Sequence, residues 1–120
     1  MLNFAVHGIF ITGTDTGVGK TLVATGLLRL AASRGLRSIG LKPIASGADQ
    51  TPDGLRNQDA LALAAAGTVP LPYRLTNPLC FGPAIAPHLA AAEAGLPVSL
   101  PGLADWYAQA TTTADLAIVE

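Results

Sequence analysis

The composition of this 120-residue chain limits its size and excludes several classes of partner. Half of its residues are hydrophobic, which is enough for the core of one domain covering residues 1–120. Only 12% of the residues are charged and the net charge is −1, so no basic surface indicates binding to nucleic acid or to an anionic membrane. No apolar run reaches the roughly 20 residues that span a bilayer, and the N-terminus lacks the basic region and cleavage site of a secretion signal. We therefore expect a cytoplasmic protein.

A strand, a glycine-rich turn and a helix come first along the chain. Residues 6–12 are mostly β-branched or aromatic and predict a buried strand. Three glycines follow within residues 13–19, and residues 20–34 then show the apolar pattern of a helix that Gly35 can end with a left-handed cap. This order is typical of a phosphate-binding loop, because glycine allows backbone N–H groups to face an anion at a helix N-terminus.

The loop also carries the side chains that binding of a nucleoside triphosphate requires. Lys20 would bring a point charge to the β- and γ-phosphates, and Thr21 would offer its hydroxyl to Mg²⁺. The spacing departs from the general motif, because five residues instead of four separate Gly13 from Gly19. The alternative is a glycine-rich turn with a surface lysine at a helix start. The coincidence of strand, loop and helix favours nucleotide binding.

The remaining segments predict a parallel α/β sheet flanked by helices. The second strand should close a right-handed βαβ unit with the first, and ligands of such sheets lie at the carboxyl ends of the strands. The helix after the second strand has a capping residue in Asn57, and the connection over 67–87 holds five prolines and is expected to be irregular. The predicted elements are a strand at 36–44, helices at 57–66, 87–94 and 100–111, and a strand at 115–120.

Several reactive side chains have positions that leave two roles open. Lys42, at the end of the second strand, either faces the nucleotide or extends to water. Asp59 lies in the first turn of a helix, where it binds metal or only favours the helix dipole. Glu120 ends the last strand, where phosphate-loop NTPases carry the acid that holds Mg²⁺; the alternative is a terminal acid with no role. His88 is either a general base or a capping residue, and we expect Cys80 to be a small apolar filler.

Taken together, these motifs resemble those of the dethiobiotin synthetases, a family of ATP-dependent enzymes in biotin biosynthesis. The phosphate loop with its five-residue gap is the form that this family has, although some relatives carry glutamate at the position of Gly17. The resemblance extends over essentially the whole chain. The segments that carry it are Gly-Thr-Asp-Thr-Gly-Val-Gly-Lys-Thr at 13–21, Lys-Pro-Ile-Ala-Ser-Gly at 42–47, Gly-Leu-Arg-Asn-Gln-Asp-Ala at 54–60, Asn-Pro at 77–78 and Pro-His at 87–88.

The resemblance implies a phosphate-loop NTPase fold, a homodimer and a ligase reaction. In that reaction 7,8-diaminononanoate, CO₂ and ATP give dethiobiotin, ADP and phosphate through a phosphorylated carbamate, with Mg²⁺ as cofactor. The resemblance also implies a role for each matching residue. The catalytic residues would be Lys42 and Lys20; the nucleotide would be bound by Gly17, Val18, Gly19, Lys20, Thr21, Leu22, Asp59 and Glu120; the substrate by Thr16 and Ser46; and Mg²⁺ by Thr21, Asp59 and Glu120.

Members of that family are longer than this chain, so we expect the N-terminal half of a synthetase domain with a sheet that is incomplete at its C-terminus. An uncovered sheet edge and exposed apolar surface should then favour aggregation. Three alternatives remain. One is an inactive nucleotide-binding fragment. The second is an ATPase switch of the chromosome-partitioning or septum-positioning kind, whose loops usually have an additional lysine. The third is an amidotransferase ATPase domain, which would need a glutaminase domain.

Overall fold

Three parallel strands form the sheet around which the rest of the chain is arranged. The computed structural model describes residues 6–14 and 17–120. Within these ranges, no helix is both long and apolar enough to cross a membrane. The elements in chain order are β1 (His7–Phe10), α1 (Lys20–Ser33), β2 (Ser38–Leu41), β3 (Ile44–Ala45), β4 (Asp49–Thr51), β5 (Gly54–Arg56), α2 (Gln58–Ala66), α3 (Tyr73–Thr76), β6 (Leu79–Cys80), α4 (Pro87–Ala94), α5 (Leu100–Ala110) and β7 (Leu116–Val119).

The predicted parallel α/β sheet is confirmed, and its strand order is β1–β7–β2. The last strand therefore lies between the first two, so β1 and β2 are not direct neighbours as in the simplest βαβ unit. Phe10 and Leu41 both lie opposite Val119 in the register of the sheet. The carboxyl ends of all three strands therefore meet at one edge, and the residues that follow them lie near one another.

The predicted helices are confirmed to within a residue or two at each end, and their caps follow the local sequence. The Asn57 side chain accepts a hydrogen bond from the Ala60 N–H at the start of α2, as an N-cap should. Gly35 and Gly95 follow α1 and α4 with φ values of 73° and 69°, in the left-handed region that ends many helices. Residues 51–54 have the sequence Thr-Pro-Asp-Gly, which favours a turn, and they connect β4 and β5 in an antiparallel hairpin.

Two predictions about strands were wrong. The strand predicted over 36–44 ends at Leu41, and β3 leaves the central sheet to pair with β6. Pro43 explains the break, because proline has no N–H to donate to a strand ladder. The first strand was predicted to be buried, but every residue of β1 is exposed. Its only strand neighbour within the described ranges is β7, so β1 is an edge strand.

The two faces of the sheet are covered by different helices. On one face, Ala24 and Leu28 of α1 and Leu63 of α2 pack with Ile118. On the other face, Ala110 of α5 packs with a cluster that includes Ala117. Successive residues of β7 therefore point to opposite faces. This layered packing holds the strand ends, and the loops that follow them, in one place.

An apolar surface is exposed along the β1 edge and the neighbouring helix. Phe10 is 68% exposed and Leu22 is 76% exposed, and Ile9, Val23 and Leu30 are each at least 43% exposed. An edge strand with large apolar side chains is a site at which another strand or chain can add. This surface agrees with the expectation of an uncovered sheet edge.

Two glycine-to-alanine substitutions test the packing of α1 and α2 against β2. A Cβ at Gly40 would lie 2.7 Å from the Leu63 Cβ and 2.8 Å from the Leu28 Cδ1, and such overpacking costs about 1–3 kcal/mol. A Cβ at Gly26, inside α1, would meet nothing within 4 Å, so the better helix propensity of alanine should stabilise by about 1 kcal/mol. Urea denaturation of the two variants should give opposite signs. A stabilising Gly40→Ala would contradict the described packing.

Candidate active site

A cavity of about 870 Å³ opens at the carboxyl end of the sheet. This is within the usual range of small-molecule sites. The loop before α1, the ends of β2 and β7, the start of α2 and the segment before α4 all contribute to it. Its lining consists of Gly17, Gly19, Lys20, Thr21, Leu22, Lys42, Ile44, Ala45, Ser46, Asn57, Asp59, Ala84, Ile85, Ala86, Pro87 and Glu120.

The loop before α1 adopts backbone conformations that favour glycine. Gly17 and Gly19 have φ values of 80° and 103°, which side chains with a Cβ adopt only with strain. Gly19 is the N-cap of α1, and Lys20 is the first residue of that helix. The free N–H groups and positive dipole end of a helix start favour an anion. The loop therefore presents a phosphate-binding backbone to the cavity.

Glu120 places a carboxylate on the floor of the cavity, with a side chain that is only 3% exposed. The Thr21 hydroxyl donates to it, with Oγ1 at 2.8 Å and 2.9 Å from the two carboxylate oxygens. The Glu120 backbone N–H donates to the Leu41 carbonyl at 2.9 Å, which aligns the end of β7 with β2. A carboxylate with so little exposure requires hydrogen-bond partners and a cation nearby.

Lys42 supplies that cation. Its ammonium Nζ lies 3.0 Å from the Asp59 Oδ2 and 3.3 Å from the Glu120 Oε1, and its side chain is 15% exposed. The side chain therefore points into the cavity and does not extend to water. Asp59 is brought there by the first turn of α2, and its side chain is 46% exposed. One ammonium thus bridges two carboxylates that come from distant parts of the chain.

The residues present fit a magnesium ion. Thr21, Asp59 and Glu120 provide a hydroxyl and two carboxylates, and Mg²⁺ prefers oxygen ligands of this kind. The position of the Lys42 ammonium between both carboxylates shows that the place attracts positive charge. The part of the chain that the structure describes has no group of three or more His, Cys, Asp or Glu side chains able to hold a metal. Water or phosphate oxygens would therefore have to complete the coordination.

The remaining residues that the sequence analysis singled out differ in their relation to the cavity. Ser46 lines the cavity, whereas Val18 is 54% exposed and is not part of the lining. Thr16, predicted to bind substrate, lies outside the described residues. His88 is exposed in the first turn of α4, next to the lining residue Pro87. Cys80 is half-buried, with its Sγ 3.7 Å from the Tyr73 hydroxyl oxygen.

Sequence reasoning missed two parts of the wall. Asn57 was predicted only as a helix cap, yet it also lines the cavity. Residues 84–87 form part of the opposite wall, although their proline-rich sequence indicated only an irregular connection. The one available signal was the Pro87-His88 pair within the resemblance. Long-range proximity of this kind leaves no local pattern in a sequence.

Comparison with known proteins identifies the family. The AAA domain family model matches residues 7–120, which is nearly the whole chain and includes the loop, Lys42, Asp59 and Glu120. The chain belongs to this family. Membership agrees with the parallel sheet and with the glycine-rich loop before α1.

Within this AAA domain family, the chain is similar to several dethiobiotin synthetases, so the resemblance noted in the sequence is confirmed. The ATP-dependent dethiobiotin synthetase BioD of Marinobacter nauticus is 58% identical over 95 residues, which are 79% of this chain and 41% of the relative. That of Aeromonas hydrophila is 53% identical over 116 residues, 96% of this chain and 51% of the relative. That of Chromohalobacter salexigens is 60% identical over 86 residues, 72% of this chain and 36% of the relative. The chain therefore spans about half the length of these relatives, or less.

The contact between Thr21 and Glu120 can be tested without any ligand. Thr21→Val removes the hydroxyl and leaves a nearly buried carboxylate with one hydrogen bond fewer, which should cost about 1–3 kcal/mol of folding stability. Thr21→Ser keeps the hydroxyl and serves as the matched control. Denaturant unfolding of the nucleotide-free chain measures both. Equal destabilisation by the two variants would show that the hydroxyl contributes nothing at this position.

Proposed function

We propose that this chain carries the ATP-binding and phosphoryl-transfer site of a dethiobiotin synthetase. The reaction would join 7,8-diaminononanoate and CO₂ at the expense of ATP. The observation that carries this proposal is the convergence of Lys42, Asp59, Glu120 and Thr21 beside the phosphate-binding loop in one cavity. The names of the relatives support it and favour it over an ATPase switch or an amidotransferase domain.

The proposed chemistry requires positive charge around the phosphoryl group while it is transferred. One amine of the substrate adds to CO₂ and loses a proton to give a carbamate. A carbamate oxygen attacks the γ-phosphorus of ATP and ADP leaves. The second amine then attacks the carbonyl carbon, expels phosphate and loses a proton, which closes the cyclic urea. Carbamate, γ-phosphoryl group and ADP are all anionic, so fixed cations and N–H donors should stabilise the transfer.

The residues that the resemblance implied each have a part in this proposal. Lys20 and the loop from Gly17 to Leu22 would hold the phosphates through backbone N–H groups and one ammonium. Lys42 lines the same cavity, and its flexible stem would allow the ammonium to turn from the carboxylates to the carbamate and γ-phosphoryl oxygens. Ser46, together with Thr16, would hydrogen-bond the diamine or carbamate end.

Thr21, Asp59 and Glu120 would hold Mg²⁺ in the proposed enzyme. The ion would supply charge neutralisation at the β- and γ-phosphates. The low exposure of Glu120 and its hydrogen bond from Thr21 keep one carboxylate oriented before any ligand arrives. As the resemblance implies, the assembled enzyme would be a homodimer, and the composition of the chain favours the cytoplasm as its location.

A second candidate is a nucleotide-binding piece that needs further polypeptide for catalysis. The exposed apolar surface of β1 and α1 favours it, because this surface would be covered in a finished sheet. Adenine recognition and much of the dimer interface would then lie on the additional polypeptide.

Calorimetry distinguishes the two candidates. The purified chain is titrated with Mg-ATP, with and without 7,8-diaminononanoate and bicarbonate, while mass spectrometry follows dethiobiotin. Product formation, dependent on all three substrates, is the result expected of the synthetase. Binding of Mg-ATP without product would favour the second candidate, and absence of binding to folded chain would contradict both.

Substitution of the two lysines should separate nucleotide binding from ring closure. Lys42→Met keeps the length of the stem but removes the charge, so product formation should be abolished while the Kd for Mg-ATP stays nearly unchanged. Lys20→Met should instead weaken Mg-ATP binding itself. Each variant is checked by thermal unfolding, because loss of Lys42 leaves Glu120 with one partner fewer. Retained turnover in Lys42→Met would remove this lysine from the mechanism.

A further inference from the structure

A buried asparagine holds the backbone from which Lys42 projects. Asn77 is 2% exposed. Its Nδ2 donates to the Lys42 carbonyl at 2.7 Å and to the Leu79 carbonyl at 3.3 Å. The Lys42 N–H in turn donates to the Thr76 carbonyl at 2.8 Å. Both backbone polar groups of Lys42 are therefore bound by two consecutive residues at the end of α3.

These bonds matter because the strand ladder no longer holds Lys42. The pairing of β2 with β7 ends at Leu41, and Pro43 cannot donate a backbone hydrogen bond. The neighbouring Leu41 and Pro43 carbonyls accept hydrogen bonds from Glu120 and Leu79, so Lys42 itself is the residue that needs partners outside the sheet. Beyond the end of the sheet, Asn77 and Thr76 provide the hydrogen bonds to the Lys42 backbone.

Tyr73 connects this asparagine to the helix that carries Asp59. Its hydroxyl donates to the Asn77 Oδ1 at 2.9 Å and accepts from the Asn57 N–H at 2.7 Å. Asn57 is the N-cap of α2, two residues before Asp59. The Arg56 guanidinium carbon lies 4.2 Å from the centroid of the Tyr73 ring, at a distance typical of a cation–π contact.

The donor and the acceptor can be assigned for each hydrogen bond that Tyr73 makes with Asn57 and Asn77. Burial raises the pKa of the Tyr73 phenol above its ordinary value, and the Asn57 N–H opposes this shift. The hydroxyl therefore stays protonated and can donate to Asn77. With Oδ1 accepting from Tyr73, the Asn77 amide nitrogen must face the two carbonyl groups, as is observed.

We infer that Tyr73 and Asn77 are positioning residues, which hold the Lys42 backbone and the first turn of α2 in a fixed relation beside the cavity. This inference rests on the proposed function of the site. Neither residue belongs to the lining of the cavity in the described part of the chain, so neither is placed to touch a ligand there. Their effect is exerted through the backbones of Lys42 and Asn57.

The same strand and helix offer a matched control at their opposite ends. The Thr68 hydroxyl, just after α2, accepts from the Ser38 N–H at 2.8 Å and donates to the Leu36 carbonyl at 3.0 Å. It therefore makes one bond as donor and one as acceptor, as the Tyr73 hydroxyl does with Asn77 and Asn57, although Tyr73 has the additional contact with the Cys80 Sγ. It lies at the amino end of β2, away from the cavity. Thr68→Val should therefore cost comparable stability without moving Lys42.

The first experiment requires no ligand and no turnover. Lys20 and Lys42 are the two lysines of the chain, so acetylation by a small amine reagent, followed by mass spectrometry, gives a ratio of their reactivities. Tyr73→Phe removes only the hydroxyl, and we expect the reactivity of Lys42 relative to Lys20 to rise severalfold. Thr68→Val should leave the ratio unchanged. Asn77→Ser, if it folds, should raise the ratio further.

The second experiment measures turnover of the same variants. For Tyr73→Phe we expect kcat to fall by on the order of a hundredfold, as for a misplacement of about 1 Å, while the Kd for Mg-ATP is unchanged. An unchanged acetylation ratio in folded Tyr73→Phe, or an equal change in Thr68→Val, would overturn the inference. If the unsubstituted chain makes no product, the proposed function fails, whereas the acetylation ratio still decides whether Tyr73 and Asn77 position Lys42.

Discussion

The arrangement of the whole cavity depends on the almost complete burial of the Glu120 carboxylate. A buried charge is costly unless hydrogen bonds and a counter-charge surround it. Here the Thr21 hydroxyl and the Lys42 ammonium meet that requirement. Thr21 belongs to the first helix, and Lys42 follows the end of the second strand. The need to compensate one buried charge therefore favours contact between α1, the end of β2 and the end of β7. The same ammonium also contacts Asp59 and includes the start of α2 in the cluster.

The parallel register of the sheet explains why these side chains can meet. Because β7 lies between β1 and β2, Glu120 emerges beside Lys42 at the same edge. Pro43 ends the ladder at the point where Lys42 must turn into the cavity. The hydrogen bonds from Asn77 then replace those of the sheet, so the lysine backbone is held although its strand has ended.

The proposed anion site and the proposed cation site are next to each other in this cavity. The left-handed Gly17 and Gly19 expose the start of α1 to an anion, and the oxygen ligands for a cation lie beside Lys42. Such an arrangement suits phosphoryl transfer, in which charge on several oxygens has to be stabilised at once. Among the exposed apolar residues of β1 and α1, Leu22 lines this cavity, and the others lie outside its lining, where they are available for contact with further polypeptide.

The sequence by itself determined the features that depend on neighbouring residues. The glycine-rich loop, the Asn57 cap, the left-handed Gly35 after α1 and most helix bounds follow from local backbone preferences, and they were predicted correctly. The family resemblance pointed to Lys42, Asp59 and Glu120, but not to their mutual contacts. Only the tertiary structure decided the exposure of β1, the central place of β7, the bridging position of Lys42 and the link from Tyr73 through Asn77. These contacts join residues as distant in the chain as His7 and Leu116, and they arise from burial and hydrogen bonding between segments, which no local pattern records.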